Sequence, residues 1–425
     1  MEHEIAGQAV KAAMDGALVG TADRKKEPMT GKKALKAMER VMNALFFICG
    51  MVAVAFVLLI SIYLIISGLP AILEIGPINF LFGTRWYAST GDFGTGHRLT
   101  MDAETAKRAI DFVIAKSGHR RNIEVDFFGG EPLMAMDTVK RAVEYARSIE
   151  EAHGKCFRFT ITTNGVLLDD ETIEYINREM SNAVLSLDGR KAVNDDLRPT
   201  INGKGSYDVI VPKFRKLIEG RGTKDYYLRG TFTRFHQDFA EDVKALAAIG
   251  KNISVEPVVG KETDPYALQE ADLPALKAEY ERLAEYLRDH PETNFFHFNV
   301  DLAQGPCVIK RLRGCGAGCE YVAITPEGDI YPCHQFVGNE EYKLGSLYDG
   351  SFDQALSGTF AALNIYTREE CRSCWARFYC SGGCSASNLL VNGDIKRPHR
   401  VGCELERKRL ECAIALKAIA AGMGA

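Results

Sequence analysis

Ten of the twelve cysteines fall between Cys307 and Cys412, and this clustering constrains the chain more than any other feature. Cys315 is followed by twelve residues, Gly328, four more residues and Cys333. After a gap comes Cys371-x2-Cys374-x5-Cys380-x3-Cys384, and later Cys403. Clustering of this kind means disulfides or metal. Disulfide frameworks belong to small secreted domains that lack a sufficient core. At 425 residues and 46% hydrophobic, this chain has a large core to bury, so metal is the stronger reading. Thiolates are soft ligands that suit iron–sulfur clusters, each cubane taking four. Cys371-x2-Cys374 by itself would favour structural zinc. Cys49, Cys156 and Cys412 lie outside the spaced set and read as ordinary buried cysteines.

Between residues 102 and 302 helical and strand patterns alternate. AETAKRAIDFVIAKSG is an amphipathic helix with Asp102 as N-cap and Gly118 near its end. IEVDFFGGEPL follows, a β-rich run ending in Gly-Gly. Helices are then expected over 137–153, 169–180, 206–219, 238–249 and 272–289, and strands over 157–165, 182–189, 226–233, 253–259 and 295–302. Repeated βα units argue for an α/β fold with a parallel sheet, a barrel or part of one. Chemistry in such folds sits at the carboxyl ends of the strands. Those ends carry Gly129-Gly130-Glu131-Pro132, Thr163-Asn164-Gly165, Ser186 with Asp188, Arg229, and Glu256-Pro257. A Gly-Gly or Asp-Gly pair alone is an ordinary turn. Recurrence at successive strand ends suits a zwitterionic ligand bearing a ribose: Glu131 for an amine, Ser186 or Asp188 for hydroxyls, Arg229 for a carboxylate. Charge is balanced, 52 Lys+Arg against 56 Asp+Glu, so no nucleic-acid partner is expected.

The GGEP, TTNG, SLDG and Arg229 set resembles the radical S-adenosylmethionine (SAM) enzymes. That resemblance implies a partial (β/α)6 barrel over 88–303 with SAM across its strand ends. Gly129, Gly130, Glu131 and Pro132 would meet the methionyl amine, Asn164 would stand beside them, Ser186 and Asp188 would take the ribose side, and Arg229 the carboxylate. Over 304–425 the seven spaced cysteines match the SPASM domain, which carries auxiliary [4Fe–4S] clusters. Two interleaved cysteine groups after such a barrel favour iron–sulfur over zinc. By the resemblance, Cys315, Cys333 and Cys384 share one cluster, and Cys371, Cys374, Cys380 and Cys403 hold the other. Two cubanes need eight thiolates. Cys307 or Cys319 would supply the eighth, or one cluster keeps an open iron for a substrate thiol. VDFFGGEPL, FTITTNGVLL, LSLDGRKAVNDDLRP, GPCVIKRL, YPCHQFVGNE and CWARFYCSGGC resemble the maturases that form thioether cross-links in cysteine-rich ribosomal (SCIFF) peptides. The implied partner is such a precursor peptide.

Radical SAM chemistry needs a Cys-x3-Cys-x2-Cys loop after the first barrel strand, and no such triplet occurs here. The last loop cysteine would stand just before Ala88, where Trp86-Tyr87 are found. The barrel is therefore expected to lack its first strand, and SAM cleavage to be lost. No catalytic residue is assigned. A non-catalytic iron–sulfur-binding SPASM protein is the alternative.

The N-terminal part has a different character. Residues 1–40 form a polar tail, and no charged residue occurs from Val41 to Leu73. A run of that length can span a bilayer as one helix. Lys32, Lys33, Lys36 and Arg40 precede it, so the tail is expected in the cytoplasm and the protein in the membrane through 41–73. Residues 30–87, including the loop 74–87, resemble the start of phosphate-transporter permease subunits. The span would direct the cysteine-rich half outward, whereas iron–sulfur assembly is cytoplasmic, as are the family's enzymes. Either the protein is tethered with inverted topology, or two genes are joined at residues 86–88 in a chimera; the join is the preferred reading.

Overall fold

The computed structural model describes Met42, Ala44, Phe46, Phe47, Met51, 84–89, 99–200, 203–302 and 308–422. The chain divides into two units, Met1–Ala71 and Ile72–Ala425. In the first, the five described residues are helical. The expected membrane helix over 41–73 otherwise lies outside the described residues. Among the described residues no helix is long and apolar enough to cross a membrane.

The second unit is built on one open sheet of ten strands, β1 (Thr84–Ser89), β2 (Asn122–Phe128), β3 (Cys156–Thr163), β4 (Asn182–Ser186), β5 (Asp225–Phe232), β6 (Asn252–Pro257), β7 (Asn294–Phe295), β8 (Ala323–Ile324), β9 (Asp329–Tyr331) and β10 (Gly345–Ser346). Their order is β10-β9-β8-β1-β2-β3-β4-β5-β6-β7. Strands β1 to β7 run parallel, each beside its successor in sequence. Helices α1 (Ala103–Ser117), α2 (Met136–Ile149), α3 (Asp170–Glu179), α4 (Lys191–Leu197), α5 (Tyr207–Glu219), α6 (Phe239–Ala247) and α7 (Leu273–Asp289) fill the crossovers. Helix α1 starts where its sequence says: the Asp102 side chain accepts from Thr105 N at 2.7 Å, and Gly118 ends it at φ 53°.

Alternation along the strands separates two faces. On β2, Ile123, Val125 and Phe127 are buried, whereas Glu124, Asp126 and Phe128 face the other side. On β3, Phe157, Phe159, Ile161 and Thr163 are buried. Phe159 is inaccessible to solvent, its ring 5.9 Å from Phe127 and 6.0 Å from Phe157, with the Arg147 guanidinium 4.9 Å from its centroid. Val139, Ala142, Val143 and Ala146 of α2 belong to the same core. The apolar face thus packs on helices, and the opposite face is left polar.

Three expectations are corrected. A strand does stand in first position. Thr84–Ser89 pairs with β2 from Thr84↔Ile123 to Ser89↔Phe128, and with β8 through Tyr87↔Ala323 and Ala88↔Ile324. TRWYAS is rich in residues that favour strands, and the edges of β2 and β8 present unpaired backbone groups that require partners. The boundary placed between 74–87 and 88–303 therefore falls inside one strand. The last strand, expected over 295–302, is only Asn294–Phe295, followed by a 3-10 turn at Phe296–Phe298. Here the turn buries Phe298 edge-on to Phe295 and sets His297 Nε2 3.1 Å from Ser254 Oγ. Those contacts outweigh the strand propensity of FFHFNV. Helix α4 was not expected from KAVNDDL at all.

The C-terminal region extends the sheet through β8–β10 and adds α8 (Val308–Arg313), α9 (Gln354–Ala362), α10 (Glu369–Arg372), α11 (Arg377–Cys380), α12 (Ser385–Asn392) and α13 (Arg400–Ala420). It carries a second, smaller core that includes Tyr321, Tyr331, Phe336, Phe360 and Leu363.

Candidate functional site

The carboxyl end of β2 turns through Gly129 and Gly130 at φ 99° and 44°, which glycine adopts without strain. Pro132 opens a 3-10 turn, and Glu131 caps it by accepting from Leu133 N at 3.1 Å. The same carboxylate accepts from Thr163 Oγ1 at 2.7 Å and Asn164 N at 2.8 Å. Glu131 is therefore a buried brace between the ends of β2 and β3, with three of its roughly four acceptor sites engaged. The Asn164 side chain accepts from Val166 N at 2.9 Å.

Burial pushes the Glu131 carboxyl above its ordinary value of 4.5, against the pull of its hydrogen bonds. The folded chain then holds this proton more tightly than the unfolded chain. This group's contribution to stability is full below pH 4.5 and is lost as pH rises through the raised value. Glu131→Gln abolishes that slope. It also presents an N–H pair to one of the donors, which costs about 1–3 kcal/mol. Urea midpoints at acidic and neutral pH measure both effects; midpoints equal to wild type at both would show that Glu131 braces nothing.

Asp188, buried beyond β4, accepts from Arg198 Nε at 2.5 Å, Arg198 Nη2 at 3.2 Å and Thr231 N at 2.9 Å. Ser186 ends β4 in register with Arg229 on β5. Arg229 Nη2 lies 3.4 Å from Glu256 Oε2, and both side chains are about two-fifths exposed. His297 Nε2 stands 3.7 Å from Glu256 Oε1. Its imidazole is held neutral, mainly by burial and then by the charges of Arg409 and Arg229. Seven of the eight predicted ligand-binding residues thus lie at or just beyond the carboxyl ends of β2–β4, whereas Arg229 lies inside β5, three residues before its end. Two of them, Glu131 and Asp188, are engaged internally, and Arg229 faces a cavity. Sequence reasoning listed Glu256 only as a strand end and missed His297, which a short aromatic run concealed.

That cavity, about 420 Å³, lies on the polar face of the sheet. Its strand wall includes Asp126, Thr162, Tyr227, Arg229 and Glu256, and its far wall includes Cys315, Cys333 and Cys384. A second cavity of about 270 Å³ is lined by Cys371, Cys374, Cys380 and Cys403. A third of about 430 Å³ touches both sets through Cys384, Cys380 and Cys403. The seven spaced cysteines are therefore gathered as three and four, and the three line the cavity on the polar face of the sheet.

Burial pushes the Cys333 thiol up to about 12 and Cys403 up to about 11. Burial also raises Cys371 and Cys380. Cys315 opens onto the cavity, but surrounding protein is close enough that desolvation raises its thiol too. Without metal these are protonated thiols at neutral pH, so metal binding must release protons. The Arg407 guanidinium acts on Cys374 and pairs with Glu404, which Lys277 of α7 holds at 2.6 Å. Among the described residues, no group of three or more Cys, His, Asp or Glu side chains could hold a metal ion. A single zinc draws thiolates in to about 2.3 Å; here four cysteines surround a volume. That suits a larger inorganic core, to which the donor chemistry is matched.

Cys307 lies outside the described residues. Cys319 is half-buried, with its thiol donating to Gly316 O at 3.3 Å, and it lines none of these three cavities. Cys156 begins β3, and Cys412 is buried on α13.

Residues 315–375 match the SPASM family, described as an iron–sulfur cluster-binding domain. The chain is 29% identical to the mycofactocin maturase MftC of Mycolicibacterium smegmatis over 286 residues, 64% of this chain and 69% of that protein. It is 22% identical to the radical SAM cyclopropyl synthase TigE of Paramaledivibacter caminithermalis over 317 residues, 72% of this chain and 63% of that protein. The fold is similar to a solved structure of anSMEcpe with bound AdoMet and the Cp18Cys peptide, at TM-score 0.64 and 17% identity, covering 80% of this chain and 99% of that one. Residues 315–375 thus match an iron–sulfur cluster-binding domain, and the chain as a whole is similar in sequence to radical SAM maturases and in fold to anSMEcpe.

Proposed function

We propose that this protein holds two [4Fe–4S] clusters, one in each cysteine-lined cavity, and presents the first to a cysteine-rich peptide on the polar face of the sheet. The observation that carries this reading is the partition of seven cysteines into a set of three that lines the cavity on the polar face of the sheet and a set of four that lines another. Cys315, Cys333 and Cys384 would hold one cluster, and Cys371, Cys374, Cys380 and Cys403 the other. Such clusters carry electrons, and one with three protein thiolates leaves an iron open to a substrate thiol. The chain's own residues do the rest. Asp126, Thr162 and Tyr227 supply polar and aromatic contacts for a peptide segment. The Arg229–Glu256 pair offers both a cation and an anion at the wall.

The strand ends are the seat read for S-adenosylmethionine, with Arg229 toward its carboxylate, Ser186 and Asp188 on the ribose side, and the turned Gly129–Gly130 backbone toward its amine. The chain has no Cys-x3-Cys-x2-Cys triplet to ligate the cluster that cleaves SAM. In our reading the protein is a peptide-binding iron–sulfur protein that does not make the 5′-deoxyadenosyl radical. Thioether formation in SCIFF-type peptides is the finer assignment for intact relatives, supported by the GGEP, SLDG and CWARFYCSGGC matches. The permease-like 30–87 and the apolar 41–73 support a joined N-terminal piece, with membrane attachment through it.

Anaerobic reconstitution of the full chain with iron and sulfide tests this. The expected result is about eight irons per chain and no 5′-deoxyadenosine after reduction with SAM present. About twelve irons, or 5′-deoxyadenosine above background, would overturn the predicted inactivity. Zinc retained in place of iron would overturn the cluster assignment.

A further inference from the structure

Arg368 is 4% exposed, at the start of the segment that carries Cys371 and Cys374. Its Nη1 donates to the carbonyls of Gly382 and Gly383, and its Nη2 donates to Ser385 Oγ at 2.8 Å. Its Nε is buried without a hydrogen-bond partner. No carboxylate pairs with it among the described residues. Apart from burial, the groups acting on its charge are thiols: Cys371 and Cys380 of the four-cysteine set, Cys384 and Cys315 of the three-cysteine set.

A guanidinium does not give up its proton, and a buried charge without a counter-charge is strongly unfavourable. Hydrogen bonds to two carbonyls and a hydroxyl satisfy donors but supply no negative charge. Protonated thiols do not supply it either. Thiolates around a cluster do, because each such centre is net anionic. A buried cation with no carboxylate, set among cysteines from two groups, finds its counter-charge when those groups carry thiolate.

We propose that Arg368 is the shared counter-cation of both cluster sites, holding each centre's negative charge and setting both reduction potentials. The proposal rests on the two-cluster reading above. Arg368 is a positioning residue: it grips the turn between Cys380 and Cys384 and touches no substrate. Because reduction adds negative charge to a centre, a nearby cation favours the reduced form. Removing it must make both potentials more negative. Arg407, which pairs with Glu404 and acts on Cys374 and Cys403 of the four-cysteine set, should act on that centre only.

The test is a redox titration, followed by electron paramagnetic resonance, of the reconstituted full chain and of Arg368→Met, Arg368→Lys and Arg407→Met. With Arg368→Met, the ratio of reduced to oxidised cluster at fixed potential falls at least tenfold at both centres, about 59 mV for a one-electron couple. Arg407→Met shifts one centre. Arg368→Lys keeps the charge and stays within about threefold of wild type at both. Iron bound normally with neither centre shifted, or only one shifted, by Arg368→Met would overturn the proposal. Should Arg368→Met fail to hold iron, Arg368→Lys decides: tenfold shifts despite the retained charge would overturn it. A wild-type chain that binds no iron would instead sink the two-cluster reading itself.

Discussion

Alanine at both Cys315 and Cys333 is expected to lower bound iron from about eight to about four per chain. The reciprocal change at Cys371 and Cys374 should do the same. The reason is geometric. The first pair lines the cavity on the polar face of the sheet, and the second pair lines another cavity beside α13. Each double variant leaves too few thiolates for one cubane and the full set for the other. Iron and labile sulfide measured together give the result. Loss of all iron from either variant, with helix content unchanged by circular dichroism, would mean that the two sets assemble as one site. Loss of none would mean that the cysteines in question are not ligands.

The largest effect on stability is expected from Phe159→Ala, a loss of about 3–5 kcal/mol. Phe159 sits between Phe127 and Phe157 with no solvent access, and the Arg147 guanidinium covers its ring. Alanine leaves a void in an interior packed at near-crystalline density, and neighbours held in strands relax little. It also removes the cation–π contact. The urea midpoint should fall with its slope unchanged. A loss below about 1 kcal/mol would show that α2 collapses into the gap and that this layer is softer than its packing implies.

Much of this architecture could be read in the residues, for physical reasons that differ by element. The βα alternation was legible because crossover helices such as α5 and α7 carry a full apolar stripe. Their strands alternate between a core face and a polar one. The cysteine spacing was legible because only a metal centre calls for so many thiols so close together. Strand β1 was not legible. TRWYAS reads as the end of a permease-like loop, and only the vacant edge of β2 gives it a reason to extend. The short β7 was lost because His297 and Phe298 gain more from Ser254 and Phe295 than from a ladder. Arg368 was invisible for a further reason: in TREECRSC it looks like one more charge on a solvated turn. Its burial depends on Gly382 and Gly383, fourteen and fifteen residues away.

The turn from Cys380 to Cys384 has one more consequence. Ser381, Gly382 and Gly383 all lie at positive φ, 59°, 87° and 72°. A side chain at Gly382 would come within 3.1 Å of Arg368 Nη1. This tight reversal sends Cys380 to one cavity and Cys384 to the other. In the two-cluster reading, these three residues would space the two centres. Lengthening or shortening the reversal by one residue would then be expected to change their separation. In that reading, this piece of backbone is the shortest covalent link between the two centres.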